Sequence, residues 1–339
     1  MLYVGRMANP NLRWERTTSW NFGLDFGFLN DRIVGSMEYY HMPTTDLVMS
    51  QSLPNITGFS NITTNLGEVL NKGFEFTVNT VNIQRANFEW TSMLNLSLNR
   101  NKIVHLYYTY EDVFDETGNV IGRKEIDDRK NGWFIGKDIH EIWNYKLEGI
   151  WQLGEEEQAA LYGQRPGDPK VKDSYDIDSR RYSDDDKEFL GTTSPKFRWS
   201  FRNDFSFLKN FNVAVNIYSV WGHKGSEEYL KTDNEPERYN IYELKYWTPE
   251  NPTNNYARLG ATDRAAGTPR IIDKSFIRLE SISLEYNVPA KLLSQFNISG
   301  LRFTGSIRNV AVWTKEWQYN DPEYGYVPRT FNFGASLTF

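Results

Sequence analysis

An all-β protein, built as an antiparallel barrel whose strands cross a membrane, is the fold that three features of this sequence predict. Apolar residues recur at every second position in several runs of about ten residues, near the length that crosses a bilayer as a tilted strand. The connections between paired runs alternate between short and long. No apolar stretch approaches the roughly 20 residues of a spanning helix, and hydrophobic residues make up 39% of the chain with a mean hydropathy of -0.62.

The C-terminal run RTFNFGASLTF shows the alternation most plainly. Phe331, Phe333, Ala335, Leu337 and Phe339 share one face, and Asn332, Gly334, Ser336 and Thr338 share the other, which is the period of a strand between unlike media. In chain order, the same pattern first sets Trp20, Phe22, Leu24, Phe26 and Phe28 against Asn21, Gly23, Asp25 and Gly27. It recurs with Phe88, Trp90, Leu94, Leu96 and Leu98 against Glu89, Thr91, Asn95 and Ser97. Phe197, Trp199, Phe201, Phe205 and Phe207 then oppose Lys196, Arg198, Ser200, Arg202 and Asp204, and Phe211, Val213, Val215 and Ile217 oppose Asn212, Ala214, Asn216 and Tyr218. Leu301, Phe303, Gly305 and Ile307 oppose Arg302, Thr304, Ser306 and Arg308.

Alternation alone also fits a soluble β-sandwich. The connections favour the barrel: Asn30-Asp31, Val81–Asn87, Leu208–Asn210 and Pro289–Gly300 are short, whereas residues 43–67, 99–132, 152–195, 221–274 and 314–329 are long. Short turns at one end and long loops at the other are the habit of outer-membrane barrels. A further hairpin over Trp133–Lys137 and His140–Ile150 brings the expected count to about eleven strands, an odd number that predicts a portion of a barrel.

Other classes find less support. The net charge of -6 and the lack of a basic stripe argue against a nucleic-acid partner. With no cysteine there are no disulfides and no thiolate sites. His41, His105, His140 and His223 are scattered without metal-ligand spacing, and no nucleophile or phosphate-cradling motif occurs, so no enzyme is expected. Aromatics reach 15%, which suits membrane-interface belts or sugar-stacking surfaces.

A set of stretches carries a family resemblance: NPNLRWERT (Asn9–Thr17), TGF (Thr57–Phe59), NLGEVLNKGFEF (Asn65–Phe76), YKLEGIWQ (Tyr145–Gln152), YGQRPGD (Tyr162–Asp168), LGTTSPKF (Leu190–Phe197), YWTPENPTN (Tyr246–Asn254), SFIRLESISLEYNVP (Ser275–Pro289), then DPE and the terminal Phe339. In this order the chain resembles the C-terminal half of the SusC/RagA-like TonB-dependent transporters of Gram-negative outer membranes. The resemblance implies that residues 1–339 form about eleven strands of a barrel of about 22. It further implies that the N-terminal extension, TonB box, plug and first barrel half are absent, with Met1 an internal start, an artificial boundary or the head of a split second piece. The implied function is TonB-driven import of a glycan or peptide beneath a SusD-like surface lipoprotein. Phe331, Phe333, Leu337 and Phe339 would face outer-membrane lipid and Asn332, Ser336 and Thr338 the lumen, with Phe339 resembling the barrel-assembly signal.

Lumen polar groups are expected at Asp25, Arg198, Arg202, Asp204, Arg302 and Arg308. Trp221, Tyr229, Trp247, Tyr256, Trp317, Tyr319, Tyr324 and Tyr326 cluster in the last two long loops, where flat rings suit contact with ligand or lid. Many relatives carry an EF-hand-like loop where this chain has KDSYDIDSRRYSDDDKEFLG. Asp173, Asp176, Asp178, Asp184 and Asp186 offer oxygens for calcium, but the turn-forming glycine is missing and the spacing is about two residues long, so a solvated acidic loop is the preferred reading. Two other functions stay open at this point: a soluble carbohydrate-binding β-protein and a porin-like passive channel.

Pro249, Pro252 and Pro269 stiffen the loop over residues 221–274 into an ordered lid-bearing element. Limited proteolysis of the intact transporter should spare residues 225–270; rapid nicking there contradicts this expectation.

Overall fold

The computed structural model describes residues 7–53, 55–226, 245–261, 270–296, 298–318, 321–323 and 327–339. The strands that share the main sheet are β1 (Trp20–Phe28), β2 (Ile33–Thr45), β3 (Glu68–Arg85), β4 (Phe88–His105), β5 (Phe197–Phe207), β6 (Phe211–Trp221), β7 (Phe276–Asn287), β8 (Gly300–Thr314) and β9 (Thr330–Thr338). Each pairs antiparallel with its neighbour in this order. The two-residue strand Arg16–Thr17 continues the line of β1 beside β2, so the 10-stranded sheet has nine positions. The sheet does not close: among the described residues, β1 and β9 each pair on one side alone.

Alternation becomes geometry through register. A row of cross-strand partners runs Phe26, Gly35, Val78, Leu94, Phe201, Ile217, Leu279 and Ala311 on one face. The row one residue earlier in β1 runs Asp25, Ser36, Thr77, Asn95, Ser200, Tyr218 and Arg278 on the other. A one-residue slip in any pair would turn a whole strand inside out, so both faces together lock the register. Gly35 is required where it stands. A Cβ there would come within 2.3 Å of the Thr77 carbonyl oxygen and 2.6 Å of the Phe26 ring, which lies over the gap.

The apolar face is not the hydrophobic core. Phe333 is 87% exposed, Phe22 64% and Leu24 59%, and none of Phe197, Trp199, Phe201, Phe205 and Phe207 belongs to the buried set. Water does not tolerate an apolar surface of this extent, whereas hydrocarbon does. Eleven residues of β5 at about 3.3 Å each, tilted by about 40°, rise roughly 28 Å, enough for an apolar band of about 25 Å. The buried apolar cluster lies instead beyond the band, where the long strands β3 and β4 project: Val69, Ile103 and Leu106 pack with Leu47, Met49, Tyr107, Trp133, Ile135 and Ile139.

That cluster corrects one expectation. Residues 133–150 do not form a hairpin in the sheet, because β4 pairs directly with β5 from Phe88↔Phe207 to Leu98↔Phe197. Trp133–Lys137 lies against the projecting end of β4, with the Ile103 N–H donating to the Lys137 carbonyl and the Gly136 N–H to the Ile103 carbonyl, each at 2.8 Å. Glu141–Asn144 pairs with Glu188–Thr192, and Leu147–Ile150 with Pro169–Val171. The two long connections expected at 99–132 and 152–195 are thus one, running from residue 106 to 196, and the sheet has nine positions where eleven were expected. The other turns keep their places: residues 29–32, 86–87, 208–210 and 288–299 are short and lie at one end, while 46–67, 222–275 and 315–329 are long and lie at the other.

Ile282 and Ser283 sit side by side in mid-strand on opposite faces. Replacing Ile282 by Arg should destabilise the intact barrel in phospholipid vesicles by about 2–4 kcal/mol, read by chemical denaturation, and Ser283→Arg by far less.

Candidate functional site

Two features can meet a solute: the polar wall and the loops above it. All six charged groups expected in the lumen, Asp25, Arg198, Arg202, Asp204, Arg302 and Arg308, lie on the polar face. Arg202 binds Asp204 with two hydrogen bonds of 2.8 and 2.7 Å. Arg308 reaches Glu280 at 3.1 Å, and Arg302 lies 3.7 Å from Glu285. Glu280 is the extra residue of the bulge between Leu279 and Ser281. These pairs are exposed and therefore weak, and they leave the wall hydrated and rich in both donors and acceptors. Thr77, Asn95 and Ser200 form a side-chain chain across three strands, at 3.0 and 3.1 Å.

At the loop end of this wall stands a buried ionic network that the sequence reading missed. Arg278, on the polar face of β7, is 2% exposed. Its guanidinium donates to Asn309 Oδ1 at 2.5 Å and to Asp321 Oδ1 at 2.7 Å, with Glu323 3.8 Å away. The Tyr218 hydroxyl donates to Glu323 Oε2 at 2.5 Å. The DPE triplet of the last loop is thereby tied to the barrel wall, with Pro322 fully buried between its two acids. The signal lies in the sequence: Arg278 falls on the polar face by the alternation of β7, and DPE is one of the stretches that carry the family resemblance.

A second junction unites loops far apart in sequence. The stretch after β4 brings Trp151, Gln152, Gln164, Gly167 and Asp168 against Trp247, Asn254 and Arg258 of the loop after β6. Asp168, 1% exposed, accepts from Arg258 at 2.7 Å. The Trp247 indole donates to Gln152 Oε1 and the Trp151 indole to Gln164 Oε1, both at 2.9 Å. The Gln152 amide donates to Asn254 Oδ1 at 3.1 Å, and the Arg258 N–H to the Gly167 carbonyl at 2.8 Å. Gly167 has φ +90°, and a Cβ on it would lie 2.5 Å from Trp247 and 2.8 Å from Arg258, so a side chain there would force the loops apart. Three of the signature stretches, YKLEGIWQ, YGQRPGD and YWTPENPTN, therefore meet at one place.

The eight ring candidates divide. Trp247 (5% exposed) and Trp317 (6%) are packing residues within the loops, the latter under the Lys274 ammonium at 4.6 Å. Tyr256 lies beneath the Arg270 guanidinium at 5.4 Å. Trp221 is the last residue of β6, on the apolar face opposite Phe197, which corrects its expected place in a loop. Tyr229, Tyr319, Tyr324 and Tyr326 lie outside the described residues.

The five aspartates of the acidic stretch also part company. Asp186, 1% exposed, accepts from the N–H groups of Ser174, Tyr175 and Ser183, at 2.9, 2.9 and 2.8 Å, and from the Ser183 hydroxyl. Burial alone would raise its pKa, but these donors outweigh it and hold the carboxyl below its ordinary value. Asp173 accepts from the Tyr162 hydroxyl and Asp184 pairs with Lys187. Among the described residues no three metal-capable side chains converge. In the neighbouring loop, burial likewise opposes but does not overcome His105 and the N–H groups of Leu106 and Tyr108, which hold Glu125 below the usual carboxylate range. Burial, helped by Lys274, pushes His223 down to about 4.

An open wall of antiparallel strands, apolar outside and polar inside, with short turns at one end and welded loops at the other, defines a transmembrane β-barrel. Residues 2–310 match the family described as TonB dependent receptor-like, beta-barrel, and the chain belongs to that family, whose barrels lie in the outer membrane. It is 30% identical over 373 aligned positions to TonB-dependent receptor P26 of Formosa agariphila, covering 100% of this chain and 36% of that protein. It is 34% identical to TonB-dependent receptor SusC of Bacteroides thetaiotaomicron over 37% of this chain and 16% of SusC. The structure of the RagAB peptide transporter superposes with a TM-score of 0.73 at 21% identity, covering 98% of this chain and 36% of that one, a likeness of fold. The chain thus spans about a third of the length of the curated relatives it matches along its whole length.

Two outcomes follow from the loop chemistry. Asp168→Ala removes the buried partner of a partly buried Arg258, whose guanidinium keeps its bonds to the Leu259 and Gly260 carbonyls, a loss of about 1–3 kcal/mol, and hydrogen exchange should show residues 150–171 and 246–261 losing protection together. Because the Asp186 pKa is lowered on folding, its contribution is present above the ordinary value of 3.8 and disappears as pH falls through the depressed one. Protection of the Ser174, Tyr175 and Ser183 amides, relative to an unstructured peptide at the same pH, should fall as the pH drops below the ordinary value of 3.8 and be low already at neutral pH in Asp186→Ala.

Proposed function

We infer that this chain supplies part of the wall and external loops of a Gram-negative outer-membrane nutrient importer that takes up peptides or glycans under a SusD-like surface lipoprotein. Energy comes through TonB, engaged by parts of the transporter outside this chain. The observation that carries the reading is the continuous polar face, which alternates Arg202–Asp204, Arg302–Glu285 and Arg308–Glu280 along the lumen. Such a wall solvates solutes dense in hydrogen-bonding groups and offers nothing to an apolar one. Between the two substrate classes, peptides agree with the substrate that names the RagAB peptide transporter, and the exposed pairs of both signs suit a zwitterionic chain. Glycans, equally dense in hydroxyls, suit the same donors and acceptors. The welded loops are the rigid surface on which a lid would seat, and the DPE anchor holds Asp321–Glu323 against the loop end of the polar face.

Uptake of labelled oligopeptides and oligosaccharides by cells carrying the intact transporter tests this directly. The expectation is saturable uptake of one class, lost on deletion of the transporter and on removal of TonB or collapse of the proton gradient. Co-purification of a lipid-anchored surface protein is expected from the same cells. Uptake that persists without TonB identifies a passive channel and overturns the reading.

A further inference from the structure

At the loop-side edge of the apolar band, the outward side chains change character on β3 and β4. Phe197, Leu98 and Phe74 are successive cross-strand partners on the outward face. The next outward pair above them is Lys72 opposite Arg100, followed by Lys102 opposite Leu70. Elsewhere along this edge the outward face carries Trp20, Trp199, Trp221 and Trp313, on β1, β5, β6 and β8. Tryptophans at such a level form the belt that marks a membrane interface. Two strands therefore present cations where their neighbours present indoles.

The height of the cations follows from the strand. From Phe88 at the turn to Leu98 the outward face of β4 rises roughly 25 Å, the thickness of the band, at about 3.3 Å per residue and about 40° of tilt. The same rise puts Arg100 about 5 Å and Lys102 about 10 Å beyond the edge, in the headgroup layer. All three cations are exposed. The Arg100 guanidinium donates to the Asn99 and Lys196 carbonyls at 2.7 and 2.6 Å, neutral acceptors that fix the head without cancelling its charge. Among the described residues none of the three is paired with a carboxylate, whereas Arg202, Arg302 and Arg308 on the lumen face each stand near one. Like charges directly opposite each other destabilise a strand pair, and an anion seated between Lys72 and Arg100 removes that cost.

We propose that Lys72, Arg100 and Lys102 hold the phosphorylated headgroup of the glycolipid that forms the external leaflet of a Gram-negative outer membrane. Its phosphate oxygens accept from these donors, and its acyl chains lie on Phe74 and Leu98 below. Long loops lie on the external side of such barrels, so the cations belong to that leaflet. Positive charge at two heights suits a headgroup with more than one phosphate, which sets this glycolipid apart from a glycerophospholipid with one. A lid seated over the lumen mouth is a poorer occupant, because the cations face outward at headgroup level. The inference needs the membrane placement of the chain and not the identity of any transported solute.

Native mass spectrometry of the intact transporter containing this chain, in mild detergent, tests it with three added lipids: bisphosphorylated lipid A, lipid A stripped of both phosphates, and diacyl phosphatidylglycerol. Heat-modifiable migration confirms that each barrel is folded. Wild type should retain one bisphosphorylated lipid A through activation that strips the other two lipids. Lys72→Gln/Lys102→Gln should retain it roughly thirtyfold less, the effect of two cations facing an anionic lipid. Lys209→Gln, in the short turn at the opposite end, should bind as wild type does. Equal retention of the phosphorylated and stripped forms, or of lipid A and phosphatidylglycerol, overturns the proposal. So does equal retention by the double variant and wild type, or an equal loss in Lys209→Gln. Loss of a co-purifying surface lipoprotein from the double variant, with lipid A retention unchanged, would assign the cations to the lid instead and also overturn it.

Discussion

Every backbone N–H and C=O that enters hydrocarbon must find a partner within the protein, and the rest of this structure depends on that constraint. Antiparallel pairing of nine strand positions meets it everywhere except along the outer edges of β1 and β9, and pairing fixes the period at two, so the two faces of each strand must be written separately into the sequence. The row from Asp25 to Arg278 and the row from Phe26 to Ala311 are the same ladder read on its two sides. Usual packing is inverted as a result: the large apolar side chains are exposed, and the buried apolar cluster sits outside the bilayer around Ile103 and Leu106.

Outside the band, water returns and side chains take over. The loops are ordered by a few buried polar junctions: Arg278 with Asp321, Asp168 with Arg258, and Asp186 and Glu125 with backbone N–H groups. Each carboxylate is satisfied by donors that residues distant in sequence or a tight turn provide. Where the sheet supplies rigidity by repetition, the loops supply it by unique contacts.

The strands were legible because alternation is a local property. Phe197–Phe207 and Phe211–Trp221 announce themselves, and the short Leu208–Asn210 turn between them joins them without ambiguity. The supposed hairpin at 133–150 misled for a physical reason. Trp133, Ile135 and Ile139 are apolar because they face a water-side core, Phe134 because it packs on Trp143 and Phe189, and four-residue pairings such as Glu141–Asn144 look like fragments of longer strands. The loop junctions were illegible in the same sense: nothing in YGQRPGD names Arg258 as the partner of Asp168. The buried roles of Trp247 and Trp317 show why aromatic content alone cannot locate a binding surface.

The central claim is that alternate residues of each strand face lipid and lumen. Because this chain has no cysteine, single cysteines can be placed along β5 from Phe197 to Phe207 in the intact transporter and treated with a water-soluble thiol reagent in bilayers. The account predicts reaction at positions 198, 200, 202, 204 and 206 and protection at the mid-strand positions 199, 201 and 203. Reaction that rises and falls smoothly along the strand, with no period of two, would contradict it.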